Sequence, residues 1–78
     1  MDELEEKICA LSSDWWSPEE IAEELGEPKD RIEAIKAVLE RMLDSPPPDF
    51  KCEKRETKHG VEYRIFFNKA YRLRRTAR

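Results

Sequence analysis

The feature that most limits the possible folds of this chain is a short helix predicted by the sequence SPEEIAEELG, residues 17–26. Ser17 is suited to be the N-cap, and Pro18 suits the first helical position because that position needs no backbone donor. Glu20 stands three residues after the serine, where its carboxylate can complete a capping box. Gly26 can take the left-handed conformation that ends many helices. The stretch therefore predicts a helix that begins after Ser17 and ends at Gly26.

Two tryptophans stand immediately before this helix, and the sequence predicts different roles for them. Trp16 precedes the N-cap and Ile21 falls at the fourth helical position, which is the spacing of a hydrophobic staple. Trp15 is expected either to close the core beneath a later part of the chain or to remain half exposed.

Further helices are predicted on both sides of this one. Upstream, Leu4, Ile8 and Leu11 are spaced i, i+4, i+7, so they predict a first helix of about three turns. Downstream, Pro28 suits the first turn of a third helix. The apolar side of the third helix is formed by residues at helical spacing, namely Ile32, Ile35, Leu39, Met42 and Leu43, with Val38 at the margin.

The apolar period changes to two after the proline-rich stretch DSPPPD, residues 44–49, which ends the third helix. Between two alternating stretches lies TKHG, residues 57–60, whose glycine can take a positive φ in a tight reversal. The alternating apolar residues are Phe50, Cys52, Val61, Tyr63, Ile65 and Phe67. The sequence thus predicts an α+β domain over residues 1–67, with three helices followed by a two-stranded β-hairpin, and a basic tail over residues 68–78.

This arrangement resembles the winged helix-turn-helix superfamily from about Leu4 to Phe67. The most specific part is SPEEIAEELGEPKDRIEAIKAVLERM, in which the second helix, the glycine turn and the third helix follow at the superfamily's usual lengths. FKCEKRETKHGVEYRIFF then supplies the wing. Members typically reach the wing through a short glycine-containing turn, whereas here DSPPPDF intervenes. The resemblance implies a superfamily and no particular member, since such domains bind both DNA and proteins.

The charged residues divide the chain into two unlike parts. Residues 1–50 hold five Lys or Arg against fifteen Asp or Glu, a balance of −10. Residues 51–78 hold ten against three, a balance of +7. Such a division predicts two electrostatic surfaces, each suited to a different partner.

The basic part favours duplex DNA as the partner of a small regulator or accessory factor. In a DNA-binding winged helix the third helix enters the major groove while the wing contacts the backbone. The resemblance makes Lys29, Arg31, Lys36 and Arg41 the candidate contacts on the third helix. The wing adds Lys54, Arg55, Lys58, His59 and Arg64, and the tail adds Arg72, Arg74 and Arg75. Lysine and arginine there can neutralise phosphates and release counterions.

Ordinary structural roles compete with each of these assignments. Lys36 lies at helical neighbour spacing from both Glu33 and Glu40, and such pairs often form only a solvated face. Charged side chains on a hairpin can also protect an edge strand from aggregation. A basic tail can be a solubilising end.

The acidic part favours the alternative, a winged helix that binds a partner protein as an adaptor, inhibitor or subunit. The candidate contacts are the carboxylates of the second helix and two small residues of the third, namely Glu19, Glu23, Glu24, Glu27, Ala34 and Ala37. A continuous positive strip from Arg31 and Lys36 to Lys54 and Lys58 would favour DNA. A strip broken by Glu33 or Glu40 would favour protein. RNA or non-B-form DNA recognition by the wing is a third alternative.

Other functions have little support in the sequence. One histidine, two cysteines and two glycines offer no nucleophile beside a base, no paired spacing for a metal and no phosphate loop, so we expect no enzyme, metal or cofactor. No apolar run could span a membrane and no leader is apparent. Two cysteines favour reduced thiols in a cytoplasmic protein. A homodimer through the first helix or the tail is compatible with the sequence.

Overall fold

The computed structural model describes residues 3–67, which form three helices followed by an antiparallel hairpin. The helices are α1 (Glu3–Cys9), α2 (Pro18–Leu25) and α3 (Ile32–Asp44), and a 3-10 turn (Lys29–Arg31) leads into α3. The strands are β1 (Phe50–Thr57) and β2 (Gly60–Phe67). The predicted α+β architecture is confirmed. The tail over residues 68–78 lies outside the described residues.

Helix α2 has both of the ends that the sequence predicts. Ser17 is extended and its hydroxyl accepts a hydrogen bond from the backbone N–H of Glu20, while the Glu20 carboxylate accepts one from the Ser17 N–H. Gly26 is left-handed, with φ 70° and ψ 26°, and its N–H donates to the carbonyls of Ala22 and Glu23. The capping box and the glycine end are both confirmed, which fixes the length of α2 at eight residues.

The other two helices differ from the prediction at one end. Helix α1 ends at Cys9, short of the three turns expected, because the bond from the Leu11 N–H reaches only to the Ile8 carbonyl, at 3.1 Å. Pro28 precedes the third helix instead of joining its first turn. Its ψ of 162° is extended, and its carbonyl accepts from the Arg31 N–H to start the 3-10 turn.

The core lies where the three helices meet one face of the hairpin. Its fully buried side chains are aliphatic or thioether groups from all three helices, namely Ile8, Ile21, Ile35, Leu39 and Met42. Val38 is buried too, although the sequence placed it at the margin of the apolar face. Tyr63 and Ile65 of β2 cover this core from the sheet side. The predicted periods of helix and strand therefore select the buried face correctly.

The hairpin closes through the two-residue turn Lys58–His59. Thr57 pairs with Gly60 at its closed end, and Gly60 has a φ of 123°, a conformation that glycine adopts without strain. The Thr57 hydroxyl donates to the Gly60 carbonyl and accepts from the His59 N–H. The register then runs to Phe50 opposite Phe67. The tight reversal predicted at TKHG is confirmed.

An isolated β-bridge joins Trp16 to β2, and the sequence did not predict it. The Trp16 N–H donates to the Tyr63 carbonyl at 2.8 Å, and the Tyr63 N–H donates to the Trp16 carbonyl at 2.7 Å. Trp16 is half-buried against the core that contains Ile21, as a staple requires, and its indole N–H donates to the Ser12 carbonyl. The bridge fixes the start of α2 to the hairpin.

Within residues 3–67, no helix combines the length and the apolar character needed to cross a lipid bilayer.

Candidate interaction surfaces

The outer face of the hairpin, which points away from the core, carries two cross-strand ion pairs. Arg55 lies opposite Glu62 and its Nη2 is 2.7 Å from the Glu62 Oε1. Arg64 lies opposite Glu53 and its guanidinium donates to that carboxylate. Both arginines, predicted to contact DNA phosphates, therefore already have a carboxylate partner on the neighbouring strand.

Trp15 reinforces these two arginines. Trp16 bridges Tyr63, which faces the core, so the Trp16 side chain lies on the inner face as well. Successive side chains of an extended segment point to opposite faces, so Trp15 lies on the outer face. The Trp15 ring centroid lies 4.4 Å from the Arg55 guanidinium carbon and 4.9 Å from that of Arg64. Cation–π attraction thus adds to the ion pairs. Trp15 stays half-buried, which was one of the two roles expected for it.

The inner face of the hairpin contacts α3 through a polar cluster at Glu40. The Tyr63 hydroxyl donates to the Glu40 Oε2 at 2.5 Å, and the Lys54 Nζ lies 3.0 Å from the same oxygen. These two donors, Tyr63 first, lower the pKa of the Glu40 carboxyl. Burial and the bond to Glu40 raise the pKa of the Tyr63 phenol. The cluster holds the hairpin against α3, and it pairs Lys54 with a carboxylate of the same domain.

The cations predicted on the third helix are mostly paired as well. Lys36 Nζ lies 3.3 Å from the Glu33 Oε2, one turn earlier on α3. Arg41 Nη2 lies 3.5 Å from the Glu5 Oε2, which links α3 to α1. The predicted strip is therefore broken twice, by Glu33 beside Lys36 and by Glu40 at Lys54.

Glu27, predicted to be an outward-facing carboxylate for a partner protein, is paired with two cations of the same domain. Its side chain is only 16% exposed and its two oxygens bind Arg31 Nε at 3.2 Å and Lys7 Nζ at 3.3 Å. The hydrogen bond from Lys7, with that from Arg31, lowers the pKa of the Glu27 carboxyl. Both charges opposite Glu27 thus come from its own domain, and its assignment as a partner contact stays a prediction.

Three predicted DNA contacts have no side-chain ion pair within residues 3–67. Lys29 is exposed at the start of the 3-10 turn, while Lys58 and His59 are exposed at the tip of the hairpin. Lys58 and His59 are neighbours in the turn of the hairpin, whereas Lys29 belongs to the 3-10 turn before α3. Arg72, Arg74 and Arg75 lie outside the described residues.

The outward side of α2 remains an acidic surface. Glu19, Glu23 and Glu24 are exposed, and none has a cationic partner in the described part of the chain. On α3, Ala37 is exposed and Ala34 is half-buried. Of the residues predicted for a protein partner, these five keep an outward or partly outward position.

Chemistry at the thiols is disfavoured by their surroundings. Burial, more than the nearby Glu5, raises the pKa of Cys9, and burial raises the pKa of Cys52 to about 11. Both are free thiols and stay protonated near neutrality. Residues 3–67 contain no cluster of three His, Cys, Asp or Glu side chains able to hold a metal ion.

Comparison of the chain with protein-family models, curated proteins and solved structures finds no match.

Proposed function

We propose that this chain is a winged helix-turn-helix domain that binds a partner protein, and that the acidic outward side of α2 meets a basic surface on that partner. The observation that carries the proposal is the neutralisation of the predicted DNA-binding surface. On α3 and the hairpin, Lys36, Lys54, Arg55 and Arg64 each pair with a carboxylate of the same domain.

The winged-helix assignment is supported by the order of the elements and by the Trp16–Tyr63 bridge. Three helices precede a hairpin, and Trp16, between α1 and α2, forms an antiparallel bridge to Tyr63 of β2. Glu40 of α3 contacts Lys54 of β1 and Tyr63 of β2, which holds the hairpin beside the third helix, as a wing requires.

Repulsion of phosphate favours protein over DNA as the partner. Each exposed ion pair contributes only about 0–1 kcal/mol, so phosphate could displace a carboxylate at small cost. The displaced carboxylate would nevertheless stay within the Debye length of about 8 Å and repel the phosphate. Counterion release would therefore be offset by new repulsion at every such position.

The net charge of the described residues also favours a basic protein over DNA as the partner. Residues 3–67 hold ten Lys or Arg against seventeen Asp or Glu, a balance of −7. Part of this negative charge lies on the exposed side of α2, where Glu19, Glu23 and Glu24 face outward. A basic protein surface is the complement of that side, and complementary charge raises association rates and excludes wrong partners. Because Cys9 and Cys52 are free thiols, we place this role in the cytoplasm.

Charge reversal on α2 tests the proposal. Full-length wild type, Glu23→Lys/Glu24→Lys and the control Glu56→Lys are used to capture proteins from the source cell, and the dissociation constant of each captured partner is measured at two salt concentrations. We expect the double reversal to weaken the partner complex by tenfold or more and to reduce its salt dependence. Glu56→Lys changes an exposed carboxylate on the hairpin and should leave the complex intact. Equal affinity for all three chains would overturn the α2 assignment.

Duplex DNA binding through the tail and the hairpin tip is the second candidate function. It is favoured by the five Lys or Arg and no Asp or Glu in residues 68–78, and by Lys58 at the tip, which has no ion pair within residues 3–67. Replacing Arg72, Arg74 and Arg75 together with glutamine should then abolish binding to a duplex at low salt. Under the leading proposal, the same replacement leaves the partner-protein complex unchanged.

A further inference from the structure

The outer edge of β1 carries backbone hydrogen-bonding groups that no other described residue uses. Trp16 bonds the edge of β2 through both backbone groups of Tyr63, so those groups point away from β1. Lys54 is the register partner of Tyr63, so at this position the two strands do not exchange backbone bonds. The Lys54 N–H and C=O therefore point to the open edge. Because backbone groups alternate in direction along a strand, the N–H and C=O of Cys52 and of Glu56 also point to the open edge.

The charges beside this edge form a self-complementary pattern. Across the outer face, Glu53 is paired with Arg64 and Arg55 is paired with Glu62. A second β1 laid antiparallel about a two-fold axis at Lys54 puts Glu53 opposite the partner's Arg55. Each row across the four strands then reads Arg64, Glu53, the partner's Arg55 and the partner's Glu62. Charges alternate in sign along the whole row.

From this pattern we propose that a second copy of the chain adds its β1 to the open edge of β1, with the two-fold axis at Lys54. The two hairpins then form one continuous four-stranded sheet, an isologous contact in which each copy offers the same strand. This association is independent of the function proposed above. It uses neither α1 nor the tail, the two surfaces that the sequence suggested for a dimer.

Other registers are disfavoured by charge or by length. An axis at Glu53 would oppose that carboxylate to its own copy and Lys51 to the partner's Arg55. An axis at Cys52 pairs only residues 50–54 within the strand, whereas the axis at Lys54 pairs residues 51–57. The two Lys54 side chains meet at this axis, but each is neutralised by its own Glu40 at 3.0 Å.

Charged edge strands commonly prevent such pairing. Here Arg55 and Glu53 are already held by the cross-strand neighbours Glu62 and Arg64, so their orientation is set before a second copy arrives. The edge therefore presents an ordered row of charges that only an antiparallel copy in one register complements.

The matched variants Glu56→Pro and Glu56→Ala test the contact in the full-length chain. Both remove an exposed side chain that forms no ion pair within residues 3–67, but only proline removes the outward N–H that would bond the Cys52 carbonyl of the other copy. Sedimentation of wild type and Glu56→Ala should give the same concentration-dependent dimer. Glu56→Pro loses two symmetry-related hydrogen bonds, so its dissociation constant should rise roughly 10- to 100-fold.

Amide hydrogen exchange on the wild type gives a second measurement that needs no variant. The Lys54 and Glu56 amides should gain protection as the protein concentration rises, whereas the Glu53 and Arg55 amides, which bond β2, should be protected at every concentration. A wild type that stays monomeric at millimolar concentration would overturn the proposal. So would a folded Glu56→Pro that dimerises as the wild type does, or Lys54 and Glu56 amides whose exchange ignores concentration.

Discussion

Trp16 is the single residue that links the most parts of this fold. Its backbone forms the bridge to Tyr63, its indole N–H bonds the Ser12 carbonyl, and its ring packs against the core. The ring is half-buried, so truncation should cost less than the roughly 3–5 kcal/mol typical of a fully buried tryptophan. We expect Trp16→Ala to lower the free energy of unfolding by about 2 kcal/mol, measured by urea denaturation followed by circular dichroism.

Trp15→Ala is the matched control for this substitution. Trp15→Ala removes the contacts of the ring with Arg55 and Arg64 on the outer face, worth about 1 kcal/mol together. A larger loss for Trp15→Ala than for Trp16→Ala would show that the staple has been assigned to the wrong tryptophan.

The Tyr63 hydroxyl gives the stability a defined dependence on pH. The pKa of its phenol is raised in the folded state, so the unfolded chain loses the phenol proton at a lower pH than the folded chain does. The free energy of unfolding therefore falls as pH rises above about 10. The Glu40 pKa is lowered, chiefly by Tyr63, so its contribution is present above about pH 4.3 and is lost as pH falls below that value. Tyr63→Phe should therefore make the free energy of unfolding fall less at both high and low pH.

Unfolding free energies of wild type and Tyr63→Phe between pH 3 and pH 11 give the measurement. The curve of the variant should be flatter at both ends. Curves that run parallel across the whole range would mean that the bond between Tyr63 and Glu40 does not form in solution.

Among the elements, α2 is the one whose ends are most strongly specified. Ser17 and Glu20 exchange side-chain bonds with each other's backbone N–H. Ser17→Ala removes one of these bonds and leaves a helical N–H without its acceptor, so we expect a loss of about 1 kcal/mol in the free energy of unfolding. Ser13→Ala, at an exposed position outside any helix, should change it by less than about 0.5 kcal/mol. Equal effects of the two substitutions would argue against the capping box.

The sequence predicts those features that depend on neighbouring residues. The cap at Ser17, the left-handed Gly26 and the reversal at Gly60 each follow from a few adjacent side chains and are all present. The two-residue turn also fixes the register, so the pairs of Arg55 with Glu62 and of Glu53 with Arg64 could have been derived by counting back from it. These two pairs are therefore encoded by residues near the turn.

Features that join distant segments could not be predicted in this way. The bridge from Trp16 to Tyr63 and the bond from Tyr63 to Glu40 depend on how the hairpin packs against the helices. The pairing of Glu27 with Lys7 depends on the angle between α1 and the turn after α2. These distances follow from the tertiary packing, which no local period or cap encodes. The sequence therefore indicates the ion pairs between near neighbours, such as Lys36 with Glu33, but not those that join distant segments, such as Lys7 with Glu27.

For the whole molecule, we propose that the paired cations of α3 and the hairpin, namely Lys36, Lys54, Arg55 and Arg64, serve the domain's own carboxylates and do not bind phosphate. Removing a cation alone would change the net charge and weaken DNA binding by any route. Removing both members of an ion pair keeps the net charge and isolates the role of the cation. The suitable pairs are Glu33 with Lys36 on α3 and Arg55 with Glu62 on the hairpin.

The most direct test is a titration of a labelled 20-base-pair duplex at 50 mM and 200 mM salt. It compares the full-length wild type with the variant in which Glu33, Lys36, Arg55 and Glu62 are all replaced by glutamine. We predict that the two chains have the same affinity within about twofold and the same salt dependence, or that neither binds. A tenfold loss of affinity in the variant, with a salt slope flatter by about two units for the two cations removed, would contradict the account.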